Sequence, residues 1–192
     1  MITLHLLPLP AAGEPSAACA GLEKGLNRPG AVPSLVDAFH RVGDGAEAHL
    51  VGVLRSGVEA VGLMLSLVRS DGWAVVVGHA RESAAGEPVD PRAAERARRS
   101  PGRCAVRRGP AATAPWIEPS LQLLGALERR RSEPQQDAGR RIESGASQRE
   151  VAAQLEVTQQ AVHARLRSGL WNETRVLAGA VADELEAGPS DV

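Results

Sequence analysis

Gln159, His163 and Arg167 recur at every fourth residue, with Gln160 and Ala164 beside them. On a helix this spacing lines an amide, an imidazole and a guanidinium along one side. Groups of these types read base edges in a DNA major groove, Gln pairing bidentately with adenine and Arg with guanine. Upstream, Gln148 and Arg149 open another helical segment, where backbone amides and a cation suit a phosphate. Thr158 stands immediately before Gln159, a hydroxyl placed to cap the helix. The expected DNA-contacting set is therefore Gln148, Arg149, Thr158, Gln159, Gln160, His163 and Arg167. Arg129, Arg130, Arg131, Arg140 and Arg141 offer further phosphate contacts, while Arg165 projects away from the reading face. The competing reading is an adaptor whose helical module binds protein.

These side chains need short helices to hold them. Pro134 suits the first turn of one helix, Ala138 and Ile142 fall on its inner face, and Gly145 suits its stop. Ser147 and Glu150 have the spacing of a capping box, which starts the next helix. Val151, Leu155, Val157, Val162 and Leu166 then form a small core, with Ala152 where the helices cross closely. This pattern resembles the helix-turn-helix of phage repressors, in which the second helix enters the major groove. Glu156 departs from it, since that turn position usually holds Gly and a left-handed Glu is strained. After Gly169, Leu170 and Trp171 are expected to pack on the bundle. Asn172 caps a last helix with Val176, Leu177, Ala180, Val181 and Leu185 on one face, and with acidic Glu173, Asp183, Glu184 and Glu186 on the other.

The first half alternates differently. Ile2–Leu7, Leu35–Val42, His49–Leu54, Trp73–Gly78 and Cys104–Arg107 read as strands. Helices are expected over Ala17–Leu26, over a stretch capped by Ser56 with Val58, Val61, Met64, Leu65 and Val68 facing the core, and over Pro91–Arg99. Arg81–Asp90 reads as a loop. The order β-α-β-β-α-β-α-β favours a small antiparallel sheet of ferredoxin-like type with helices on one face. After Pro115 only helices follow, Ile117, Leu121, Leu124 and Leu127 forming the stripe of a connector. The expected fold class is α+β, a ferredoxin-like N-terminal domain followed by an all-α helix-turn-helix domain. The expected division is 1–112 for the sheet domain, 113–132 for the connector and 133–188 for the helix-turn-helix, with the boundary near Pro110 to Pro115.

Bulk properties narrow the functions. Of 192 residues, 43% are hydrophobic and 2% aromatic, so the core is built from Leu, Val and Ala. So few aromatics argue against a stacking platform for single strands. The formal net charge of -1 requires any DNA contact to be a local patch. Cys19 and Cys104 lack metal-ligand spacing and read as reduced, partly buried thiols. The apolar start lacks a basic leader and is broken by Pro8 and Pro10, and the run Val58–Val68 is too short to span a bilayer. A cytoplasmic protein without membrane attachment is expected.

Arg41-Val42-Gly43-Asp44-Gly45 and Gly72-Trp73-Ala74-Val75-Val76-Val77-Gly78 resemble the actinobacterial SatD-like proteins with a C-terminal helix-turn-helix. So do Leu123-Leu124-Gly125-Ala126-Leu127-Glu128-Arg129-Arg130-Arg131-Ser132, Ser147 to Ala152, and Gln159-Gln160-Ala161-Val162. The resemblance runs from Phe39 to the end and implies a regulator. More distantly, Val42-Gly43-Asp44-Gly45 resembles the hairpin of class III nucleotidyl cyclases, which implies Asp44 as a metal ligand. Ile2–Leu7 carries no carboxylate to complete that pair, and a two-metal mechanism needs both. Asp37 is the carboxylate that would change this if it lay beside Asp44. His40, His49 and His79 are candidates to share one sheet end. The expectation is a DNA-binding transcriptional regulator that acts as a homodimer on double-stranded DNA. Its N-terminal domain would serve dimerisation or sensing of a small molecule, and no catalytic residue, metal or cofactor is expected.

Overall fold

A computed structural model describes residues 1–79, 88–107 and 114–188. The chain divides into two compact units, one formed by Met1–Arg129 with Ala178–Val192, the other by Arg130–Leu177. Among the described residues no helix is long and apolar enough to cross a membrane.

The first unit is α+β. Its elements run β1 (Ile2–Pro8), α1 (Pro15–Leu26), β2 (Leu35–Val42), β3 (His49–Leu54), α2 (Gly57–Arg69), β4 (Trp73–His79), α3 (Pro91–Arg99), β5 (Cys104–Val106) and α4 (Ile117–Arg130). The five strands form one sheet in the order β2-β3-β1-β4-β5. The first four pair antiparallel, and β5 joins β4 in parallel, with Val76 beside Ala105. β1 lies at the centre, and Ile2 to Leu7 are buried without a break, as are His49–Leu54 in β3 and Trp73–Gly78 in β4. Continuous burial means that both faces of the sheet are covered, where the sequence led us to expect helices on one face. One face carries Leu7, Ala74, Val76 and Ala105, packed against Ala93, Ala94 and Ala97 of α3. The small alanine face lets that helix approach closely.

The elements begin where side chains cap them. Asp90 accepts from the Arg92 amide ahead of α3, and Ser56 from the Glu59 amide ahead of α2. On α2 the buried face is Gly57, Ala60, Val61, Met64, Leu67 and Val68, not the expected set, because Val58 is 64% exposed and Leu65 half-buried. Gly57 lies on the buried face, where a Cβ would collide with the Ala182 backbone. The edge strand β2 is irregular between Leu35 and His40. There Phe39 takes no partner in the β3 register, and its N–H and C=O are both satisfied by the side-chain amide of Asn27, at 2.9 and 2.6 Å.

The expected break at 112/113 falls at residues outside those described, and the two compact units divide at Arg129/Arg130. Residues 108–113 lie outside the described residues, and so do 80–87, which take in most of the expected loop Arg81–Asp90. Through Arg129, α4 is packed rather than free: Ile117, Leu121 and Leu124 are buried, and the Gly102 and Gly125 backbones meet. Glu118 pairs with Arg96 at 3.1 Å, Glu128 with Arg69 at 3.2 Å and Arg129 with Asp71 at 2.6 Å. Val181, Ala182 and Leu185 of α8 (Trp171–Ala187) are also buried in this unit. The expected apolar face of that helix is shifted, since Val176 is 76% exposed and Ala180 is exposed too.

The second unit holds α5 (Glu133–Glu143), α6 (Gln148–Gln154), α7 (Gln159–Ser168) and the start of α8. Its core joins Ala138, Val151, Ala152, Val162, Leu166 and Trp171, with Ile142, Ala146, Leu155 and Val157 packed around them. Every core position expected from the apolar spacing lies in this cluster. Trp171 closes it against Gly139, where any side chain would strike the indole, whereas Leu170 is 41% exposed.

Candidate nucleic-acid interface

The start of α6 is built by the expected capping box. The Ser147 hydroxyl accepts from the Glu150 amide at 3.3 Å, and the Glu150 carboxylate accepts from the Ser147 amide at 2.7 Å. That hydrogen bonding to the charged form holds the Glu150 carboxyl below the usual carboxylate range. Thr158 caps α7 by accepting from the Ala161 amide at 3.1 Å. Between the helices Glu156 takes φ 52°, the left-handed conformation expected of this turn. The Val157 amide donates to Ala152 O at 3.0 Å and sets the chain up for α7.

On α7, Val162 and Leu166 are buried, while Gln159, Gln160, His163, Ala164 and Arg167 are exposed along the other side. The four polar members of the expected reading set thus share one open face. Thr158 and Arg149 are exposed as well, and Gln148 is half-buried at the first turn of α6. Arg165 is half-buried, off that face. α6 and α7 share one core, through Val151, Ala152, Val162 and Leu166. The second unit carries eight arginines and six carboxylates, a formal +2 within a chain of net -1.

The other arginines are mostly committed to structure. Arg129 binds Asp71 and donates to Pro101 O at 2.7 Å. Arg131 donates to Gly169 O at 2.8 Å and to Thr174 Oγ1, and its guanidinium lies 4.3 Å from the Trp171 ring centroid. Arg141 binds Asp137 at 3.3 Å and Gln154 at 2.7 Å, and Arg140 reaches Asp137 at 4.0 Å. Among the described residues Arg130, Arg149, Arg165 and Arg167 take part in no ion pair. Sequence spacing did not single out the role of Arg131, which ties the C-terminus of α7 to the following helix. Its position beside the last carbonyls of α7 complements the helix dipole. Gln135 adds a bond to Ser168 at 3.0 Å at the same end.

The sheet residues singled out for chemistry are dispersed. The Asp44 side chain is 94% exposed, with Arg41 at 3.8 Å. Asp37 lies on β2, roughly 15 Å of extended strand from the end leading to Asp44. Among the described residues no group of three or more His, Cys, Asp or Glu is arranged to hold a metal ion. The three histidines expected at one sheet end are separated: His49 pairs with Val42, while His79 stands opposite Ile2, at the other end of β1. His49 instead approaches His5, with ring centroids 5.7 Å apart, both side chains buried. Its Nδ1 faces Glu47 O at 3.0 Å and its Nε2 is buried without a hydrogen bond. Burial pushes the His49 pKa down.

Compared with known proteins, the chain gives no significant match to a family model, a curated protein or a solved structure.

Proposed function

We propose that the chain is a DNA-binding protein, a transcriptional regulator that docks α7 in the major groove of double-stranded DNA. The observation that carries this reading is the open face of α7. Gln159, Gln160, His163 and Arg167 project from a helix whose opposite side is locked by Val162 and Leu166, behind a left-handed turn at Glu156. Donors and acceptors held on a rigid helix are what base-edge readout requires. Arg149, exposed and in no ion pair among the described residues, supplies a cation for the phosphate backbone.

The same proposal includes the SatD-like resemblance, a homodimer and a cytoplasmic location. It treats the sheet domain as ferredoxin-like, in support of which the order β4-β1-β3-β2 is antiparallel throughout and α1 and α2 connect its strands. In this reading the sheet domain serves association or the sensing of a small molecule, and α7 serves the DNA.

The test is a gel shift on random duplex at low salt, followed by selection of bound sequences from a random pool. Binding at low salt and enrichment of a two-fold sequence are expected. No binding to any duplex would overturn the proposal and favour a protein-binding role for the helical unit.

A further inference from the structure

Helix α4 is apolar on two sides. Ile117, Leu121 and Leu124 are buried within the sheet unit. On the other side Trp116 is 40% and Leu123 53% exposed, Pro119 is exposed and Leu127 half-buried. At about 100° per residue Pro119, Leu127 and Arg130 fall within roughly 40° of Leu123, and Trp116 stands in the turn just ahead of the first helical residue. Single exposed apolar side chains are ordinary on a protein surface, whereas a contiguous row marks a contact. The other large exposed aliphatics on helices, Val58 of α2 and Val176 of α8, belong to no such row.

The row is symmetric about Leu123. Trp116 and Arg130 stand seven residues to either side of it, and Pro119 and Leu127 four residues to either side. We infer that α4 is the contact between two copies of this chain, packed antiparallel with the two-fold axis at Leu123. That arrangement lays Arg130 of each copy over Trp116 of the other and sets Leu123 against Leu123. Arg130 is exposed and has no ion pair among the described residues, so its cation is available. A guanidinium over an indole face is favourable, and the chain uses the same pair internally, Arg131 over Trp171 at 4.3 Å. A parallel pair would instead bring Arg130 against Arg130. An isologous contact asks one patch to complement itself, and this row does so only in the antiparallel sense.

The inference deepens the proposed homodimer, on which it rests, and its test uses no DNA. Cys19 and Cys104 are both fully buried, so an introduced surface thiol is the reactive one. In the full-length chain, Leu123→Cys is expected to form a covalent dimer under mild oxidation, while Val58→Cys and Val176→Cys are not. Trp116→Cys and Arg130→Cys are expected to cross-link when mixed and to stay single alone. Light scattering behind a sizing column should give a dimer for the native chain and a monomer for Leu123→Asp, with the circular dichroism spectrum unchanged and the concentration dependence of melting lost. A monomeric native chain, a dimer surviving Leu123→Asp, or cross-linking of Trp116→Cys with itself overturns the inference. A monomer that still binds duplex leaves the DNA reading standing without this contact. A dimer that binds no duplex keeps the contact and removes the DNA reading.

Discussion

Gln159 and Gln160 begin α7 with exposed amides, and their proposed role separates them from merely solvated residues. If either reads a base, its replacement by Ala should cost ~1–3 kcal/mol of discrimination, measured as the affinity ratio between the selected sequence and a mismatched one. Unchanged ratios in both variants would remove the assignment. His49 offers a pH test in the sheet. Its pKa lies below the ordinary 6.5 because burial disfavours the charged ring. The unfolded chain therefore takes up that proton first, and stability falls as pH drops from about 6.5 towards the lowered folded value. Urea midpoints between neutral pH and pH 5 should decline less in His49→Gln than in the native chain. The sign is opposite to that of a histidine stabilised by a carboxylate. Glu150 works the other way from a buried acid: bound by the Ser147 amide and hydroxyl, its carboxylate should titrate below a free glutamate, which a carbon-detected titration would read. The thiols give a third check at this scale. Burial raises both, and the folded protein should react with a thiol reagent only as fast as it unfolds.

At the scale of the element, α6 and α7 are short, at seven and ten residues, so their ends carry a large share of their stability. Ser147→Ala removes the box that starts α6 and should cost ~1 kcal/mol by chemical denaturation. Glu156→Gly relieves a left-handed glutamate and should stabilise by up to about 1 kcal/mol. A lower denaturation midpoint in Glu156→Gly would show that the side chain contributes more than the backbone strain costs. Gly139→Ala pushes against the indole of Trp171 and should lower stability by roughly 1–3 kcal/mol. These local features were legible in the residue order because caps, turns and the i, i+4 spacing act over a few positions. The buried face of α2 was not. Val58 and Leu65 satisfy the spacing as well as Ala60 and Leu67 do, and the close approach of Gly57 to the Ala182 backbone, far along the chain, accompanies the other choice.

For the molecule as a whole, charge is divided unevenly: a formal +2 on the helical unit and an acidic remainder. Arg129, Arg131 and Arg141 are engaged in internal bonds, which leaves few cations for phosphates. With Arg149 on a phosphate and Arg167 on a base edge, log affinity should fall against log salt with a slope of roughly −1 per copy. Arg149→Ala should reduce that slope by about one unit per copy, whatever the DNA sequence. A slope unchanged by that substitution would place Arg149 away from the backbone. The sequence by itself determined the order of strands and helices, the core of the helical unit and the polar face of α7. Each depends on hydrophobic period and capping chemistry, which neighbours a few residues apart enforce. Only the tertiary structure decided the division of the chain, the separation of the histidines and the commitment of the arginines. Pairing register, distant ion pairs and the burial of α4 and the end of α8 are long-range contacts, and local spacing does not encode which partners will meet.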